Sequence, residues 1–216
     1  MPDKLEALYW GPAAKGTPRQ LVVLCHGLGA DAYDLIDLAA EWGDACQDAL
    51  FASVNAPFMH ESGWGRQWWS VGDRSPDVMA RGARTAATCL DTFLDTELER
   101  LGLPADAYAL MGFSQGAMTV LFTGLRRQIA PRAILAFSGG IVAPETLPSE
   151  CANRAPVLLV HGEADDVVPV SRSRDSEALL RRLQVPVESL YVPGLGHGID
   201  ESGLAMGAAA LRSAFA

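Results

Sequence analysis

Apolar residues along the chain fall into two alternating rhythms. Short apolar runs occupy 21–25, 50–54, 108–111, 134–137, 157–160 and 187–192, and most are apolar at every position rather than at every second one. A strand with one wet face alternates, whereas a strand covered on both faces is continuously apolar, so these runs predict a parallel sheet sheltered by helices. Between them the period becomes helical. The clearest case begins after Ser75-Pro76, a capping residue with proline at the first helical position, and continues to Leu101-Gly102. Met79, Ala83, Ala86, Ala87, Leu90, Phe93, Leu94 and Leu98 form one stripe along it. Further helices are predicted over 33–42, 115–127, 172–183 and 201–215. Strands alternating with helices imply right-handed crossovers, so the expected fold class is α/β, a mostly parallel central sheet with helices on both faces.

Length and composition narrow this picture. A chain of 216 residues suits one α/β domain, expected to span 1–216, and no repeat, low-complexity tract or linker divides it. With 49% hydrophobic and 20% charged residues it has the means to bury a full core. The net charge of −9 argues against nucleic acid or an anionic membrane surface as a partner, because both attract basic patches. The first residues lack the basic start and apolar run of a secretory signal, and no stretch is long and apolar enough to span a bilayer, so a cytoplasmic protein is expected. Cys25, Cys46, Cys89 and Cys151 lack metal-ligand spacing and are expected to be buried thiols.

In a sheet of this kind the binding crevice lies at the carboxyl ends of the strands, where the chemically capable motifs fall. Gly112-Phe113-Ser114-Gln115-Gly116 follows the strand ending at Met111 and precedes an apolar helical segment. A serine on such a strand-to-helix turn projects its hydroxyl above the sheet, and the glycines two positions to either side allow close backbone packing around it. Ser114 is therefore the candidate nucleophile. In this architecture the acid and then the base follow the serine along the chain. His26 and His60 come too early, and His161 ends an apolar strand, where a structural role is expected. His197, in the loop Pro193-Gly194-Leu195-Gly196-His197-Gly198, is the candidate base. The acid belongs to the loop after the preceding strand, which carries Glu163, Asp165 and Asp166; spacing leaves Asp165 and Asp166 open. Asp200, at a helix start, suits an N-cap. For the oxyanion, one donor is the N–H of Gln115, and the second is that of Leu28 or Gly29 in Cys25-His26-Gly27-Leu28-Gly29-Ala30-Asp31.

Taken together, these segments, with Asn55-Ala56-Pro57, Trp68-Trp69 and His161-Gly162-Glu163-Ala164-Asp165-Asp166-Val167-Val168-Pro169, resemble the phospholipase/carboxylesterase family of α/β-hydrolases, which includes acyl-protein thioesterases and small bacterial carboxylesterases. The resemblance covers most of the chain. It implies an α/β-hydrolase fold without a large cap domain, Asp165 as the acid, Leu28 as the early oxyanion donor, no metal or cofactor, and frequent homodimers. The chain departs from the family at Ala117, where a second glycine is usual, and at Asp166, where proline is frequent. A second carboxylate beside the acid raises its pKa if both are sequestered. The segment Gly65-Arg66-Gln67-Trp68-Trp69-Ser70 also differs from the family's, and the region 57–76 has no clear periodicity. Long segments of this kind usually serve function, and Trp68, Leu28 and Val168 are read as acyl-chain lining.

The expectation is a serine carboxylesterase acting on short- to medium-chain esters through an acyl-enzyme, with Ser114, His197 and Asp165 as the triad. An acyl-protein thioesterase or lysophospholipase, acting on acylated protein or a lysophospholipid, would use the same machinery. A non-catalytic receptor on a hydrolase scaffold predicts a broken triad, and no member is missing.

Overall fold

A computed structural model describes residues 4–216. The chain opens with β1 (Ala7–Trp10) and β2 (Gln20–Cys25), followed by two short helices, α1 (Tyr33–Ile36) and α2 (Leu38–Trp42), and a 3₁₀ turn at Gly43–Ala45. β3 (Ala49–Val54) leads into a small hairpin of β4 (Phe58–Met59) and β5 (Arg66–Gln67), and then into the long α3 (Pro76–Leu101). The remainder alternates: β6 (Tyr108–Phe113), α4 (Gln115–Arg126), β7 (Ile134–Phe137), the short α5 (Leu147–Glu150), β8 (Val157–Gly162), α6 (Ser171–Arg182), β9 (Val187–Val192) and α7 (Glu201–Ala214).

Seven strands form one sheet in the order β1-β3-β2-β6-β7-β8-β9, with β1 antiparallel to β3 and every other pairing parallel. Alternation within the covered strands sends side chains to opposite faces. Leu21, Val23 and Cys25 join the core under α3, α4 and α6, while Val22 and Leu24 join the core under α1, α2 and α7. Among the described residues, the crossovers carry no inserted cap domain.

The short α5 was not expected, and three further regions differ from expectation. β1 was not foreseen because it is a four-residue edge strand with Tyr9 facing solvent, too short for a periodic signal. The region 33–42 is two short helices that meet at Asp37 rather than one. The region 57–76, expected to be irregular, contains the β4–β5 hairpin. The long α3 follows the apolar stripe, starts at Pro76 and ends at Gly102 in the left-handed conformation (φ 65°), a helix stop that glycine adopts without a Cβ clash. Ser75 occupies its N-cap without a side-chain bond.

The face carrying α7 depends on one large ring. Trp42 is fully buried, donates its indole N–H to Leu204 O (3.0 Å), and lies 6.2 Å from Phe137, centroid to centroid. Gly207 makes room for it, since a Cβ there would stand 2.6 Å from the indole. Removing a ring of this size leaves a cavity that the helices fill only in part. Trp42→Ala is expected to lower unfolding free energy by about 3–5 kcal/mol, read from urea denaturation as a lower midpoint at unchanged slope.

Candidate active site

The carboxyl ends of β2, β6, β8 and β9 bring the sequence-nominated residues to one edge of the sheet. Ser114 stands between β6 and α4 with φ 55° and ψ −116°, a conformation that a non-glycine residue holds only when its surroundings impose it. Two glycines supply that imposition. A Cβ on Gly112 would overlap the backbone of Gly116, and one on Gly116 would overlap the carbonyl of Cys25 at the end of β2. Gly27 lies close against the same turn, since a Cβ there would stand 3.3 Å from the Ser114 Cβ and from the Phe113 ring, so the loop after β2 is seated beside Ser114. Ser114 is largely buried, at 8% exposure, and its N–H donates to Phe137 O (2.9 Å).

His197 reaches this point from the loop after β9. Its ring packs on Phe113, with centroids 4.8 Å apart, and its Nδ1 lies 2.7 Å from Asp165 Oδ2. A carboxylate only accepts, so Nδ1 carries the proton and Nε2 is left free to take one. Gly162 allows the loops to nest, because a Cβ there would overlap the carbonyls of Leu195 and Gly196. Among the described residues no hydrogen bond joins Ser114 Oγ to His197. Such contacts are often long before substrate binds.

Asp165 is held from several sides. Its Oδ1 accepts the N–H groups of Val167 (2.9 Å) and Val168 (2.8 Å), and Oδ2 faces His197. Burial alone would raise its pKa, but the bonds from His197, Val168 and Val167 outweigh that and hold the carboxyl below its usual range. Asp166, its neighbour, is exposed. The condition for a raised acid pKa, two sequestered carboxylates, is therefore not met. Asp200 caps α7 by accepting from Gly203 N–H (2.9 Å).

The two backbone N–H groups nominated for the oxyanion, those of Leu28 and Gln115, have no protein acceptor among the described residues. Both are braced. Gly29 N–H donates to Arg66 O (2.8 Å) and Arg66 N–H to Ala30 O (2.7 Å), which ties the loop after β2 to β5. The side chain of Gln115 accepts from Trp68 N–H (2.9 Å) and donates to Trp69 O (2.8 Å), binding the main chain beyond β5 to the turn that carries Ser114. His26, fully buried, donates from Nδ1 to Gly27 O (2.6 Å) and accepts Ala56 N–H at Nε2 (3.0 Å). Desolvation lowers its pKa and keeps it neutral, as this pair of bonds requires.

Of the acyl-lining residues, Leu28 alone presents its side chain at the surface, at 37% exposure. Trp68 is fully buried and donates its indole N–H to His26 O (3.0 Å), so it packs beneath the loop and offers no surface to a ligand. Val168 is also buried, with its backbone engaged by Asp165 and His161, and the neighbouring Val167 is exposed in its place. Sequence reasoning missed three features here: Val167, the packing of Phe113 on His197, and the Gln115 clamp. Of these only Gln115 had a sequence signal, as a long amide next to the nucleophile.

Residues 12–212 match the family model described as Phospholipase/Carboxylesterase. The chain belongs to this family. Relatives include Esterase YpfH of Escherichia coli (strain K12), 30% identical over 185 residues that cover 84% of this chain and 77% of that protein. Acyl-protein thioesterase 1 of Schizosaccharomyces pombe (strain 972 / ATCC 24843) is 28% identical over 218 residues, 95% of each chain. Among solved structures, the crystal structure of esterase PE8 has a TM-score of 0.91 at 41% identity, covering 97% of this chain and 99% of that one. In reaction class this member of the phospholipase/carboxylesterase family is a carboxylic ester hydrolase.

The buried neutral His26 gives a pH dependence of stability. A histidine whose folded pKa is depressed must be charged in order to unfold the chain at lower pH, so stability falls as pH drops below the unfolded value of about 6.5. The stability of the wild type relative to His26→Gln is expected to shrink between pH ~7 and ~5. Urea denaturation of both proteins across that range measures it, and a constant difference would rule it out.

Proposed function

We propose that the chain is a serine carboxylesterase working through an acyl-enzyme, with Ser114 as nucleophile, His197 as general base and Asp165 as orienting acid. The observation that carries this reading is the contact of His197 Nδ1 with Asp165 Oδ2 (2.7 Å), on an imidazole packed against the residue that precedes the strained Ser114. Ser114 Oγ attacks the acyl carbonyl while its proton passes to His197 Nε2. The oxyanion that forms is met by the N–H groups of Leu28 and Gln115 at the start of α4, where the helix dipole also favours negative charge. Collapse expels the alcohol, which takes the proton from His197. Water then repeats the sequence on the acyl-enzyme and releases the acid. Asp165 stays ionised throughout and stabilises the imidazolium.

The chain works as a single hydrolase domain, in the cytoplasm, on small esters of short to medium acyl length, with thioesters or acylated protein as the competing substrate class. The absence of an inserted cap leaves the mouth open, with Leu28 and Val167 exposed at its rim. The acyl chain lies against Leu28. No helix among the described residues is long and apolar enough to cross a membrane. A homodimer is consistent with the family resemblance.

Treatment with a fluorophosphonate is expected to add one adduct on Ser114, located by mass spectrometry of the digested protein. Ser114→Ala should reduce kcat on the order of 10⁶-fold, and Asp165→Asn about 10⁴-fold through the wrong imidazole tautomer. A p-nitrophenyl ester series beside an acyl-thioester defines the substrate class. Leu28→Ala keeps the backbone N–H but removes methyl and methylene surface worth about 0.8 kcal/mol per buried carbon. Its loss in kcat/KM should therefore grow with acyl length, and a loss equal for acetate and octanoate esters would remove Leu28 from the acyl contact.

A further inference from the structure

We propose that His161 is a positioning residue for the reaction, acting through Asp165 as a second imidazole on the carboxylate that orients His197. The inference rests on the triad reading above. It goes beyond the triad by giving a role to a buried imidazole that the mechanism leaves unused.

His161 is the fifth residue of β8 and is fully buried. Its Nε2 lies 2.8 Å from Val168 O and 3.1 Å from Asp165 Oδ2. Both of those oxygens can only accept, so Nε2 carries a proton; it is donated to Val168 O, and Asp165 Oδ2 stands close beside it. On the other side of the ring, Nδ1 lies 2.6 Å from Ser173 Oγ, which is itself 2.6 Å from Gly139 O. Ser173 belongs to α6 and Gly139 to the loop after β7, and a Cβ on Gly139 would stand 2.9 Å from the Ser114 carbonyl oxygen. The ring is thus fixed between the acid loop, α6 and the backbone behind the nucleophile.

The consequence falls on Asp165. A carboxylate offers about four acceptor positions; here three donors bond to it, Val167 and Val168 N–H on Oδ1 and His197 Nδ1–H on Oδ2, and the N–H edge of His161 stands 3.1 Å from Oδ2 as a further positive neighbour. The side chain is fully sequestered from solvent. The backbone donors fix one oxygen, and the N–H edge of His161, held by Val168 O, flanks the other, which His197 meets. Sharing Oδ2 also tempers its hold on the imidazolium. Other charged groups nearby are engaged elsewhere or face water: Glu163 pairs with Arg174 of α6, Asp166 is exposed, and Asp200 is bound to Gly203 N–H and Ser202.

His161→Leu removes the donor, and His161→Gln places an amide nitrogen where Nε2 stood. With an ester substrate, His161→Leu should lower kcat by ~10- to 100-fold, by analogy with the loss of the partner that orients a metal-ligating side chain, while KM stays within about twofold. The acidic limb of its pH–rate profile should move to higher pH, because an unshared Oδ2 binds the imidazolium more tightly. His161→Gln should restore most of kcat and return the limb toward its original position. A folded His161→Leu with unchanged kcat and limb, or His161→Gln as impaired as His161→Leu, overturns the proposal. If His161→Leu does not fold, Ser173→Ala, which frees the far side of the ring, decides: a smaller fall in kcat with the same shift of the limb is expected, and no shift overturns it. The triad reading fails separately, if Ser114→Ala retains turnover.

Discussion

The site depends on how closely two backbones approach at the top of the sheet. β2 and β6 are neighbours, and the turn leaving β6 packs against the end of β2 at a distance only glycine permits, because the Gly116 position lies on the carbonyl of Cys25. That contact holds Ser114 in a backbone conformation costing on the order of 1–3 kcal/mol. It also sets the loop after β2 beside the serine, so one packing event positions Ser114 together with the N–H groups of Leu28 and Gln115. The sheet buries Leu21, Val23 and Cys25 on one face and Val22 and Leu24 on the other, which makes the carboxyl end of β2 a fixed point. The strain at Ser114 is sustained by a core that does not yield.

The acid and base side is built differently. Asp165 and His197 come from loops after β8 and β9, and the loops are joined by side-chain bonds as well as by the nesting of Gly162 under the carbonyls of Leu195 and Gly196. Around Ser114 steric fit dominates, and around His197 a carboxylate bonded from three sides does. The lowered pKa of Asp165, maintained against its burial, reflects the bonds from His197, Val168 and Val167.

Much of this was legible in the sequence, for identifiable reasons. Continuous apolar runs gave the covered strands because burial on both faces leaves no alternative pattern, and the glycine spacing around Ser114 reflected a steric requirement that only glycine meets. Features set by tertiary partners were not legible. β1 is short and its pairing with β3 is decided by the partner; the split at Asp37 leaves no periodic trace; and the burial of Trp68 follows from the His26 carbonyl that receives its indole N–H. Spacing left Asp165 and Asp166 open, and the difference between them lies in tertiary placement: Asp165 is sequestered beside His197 and Asp166 faces water. The change to Ala117 is accommodated across the core, since Gly139 leaves room for its methyl group.

The Gln115 amide has a consequence for how such a site can diversify. It grips the main-chain N–H of Trp68 and the main-chain carbonyl of Trp69, groups that most residues would supply equally. The anchor is thereby indifferent to the side chains of the segment it holds. The β4–β5 hairpin can be rewritten in sequence, or lengthened at its tip, while the chain returning from it is still caught at the same place beside Ser114. Recognition and chemistry are thus mechanically joined yet free to vary apart.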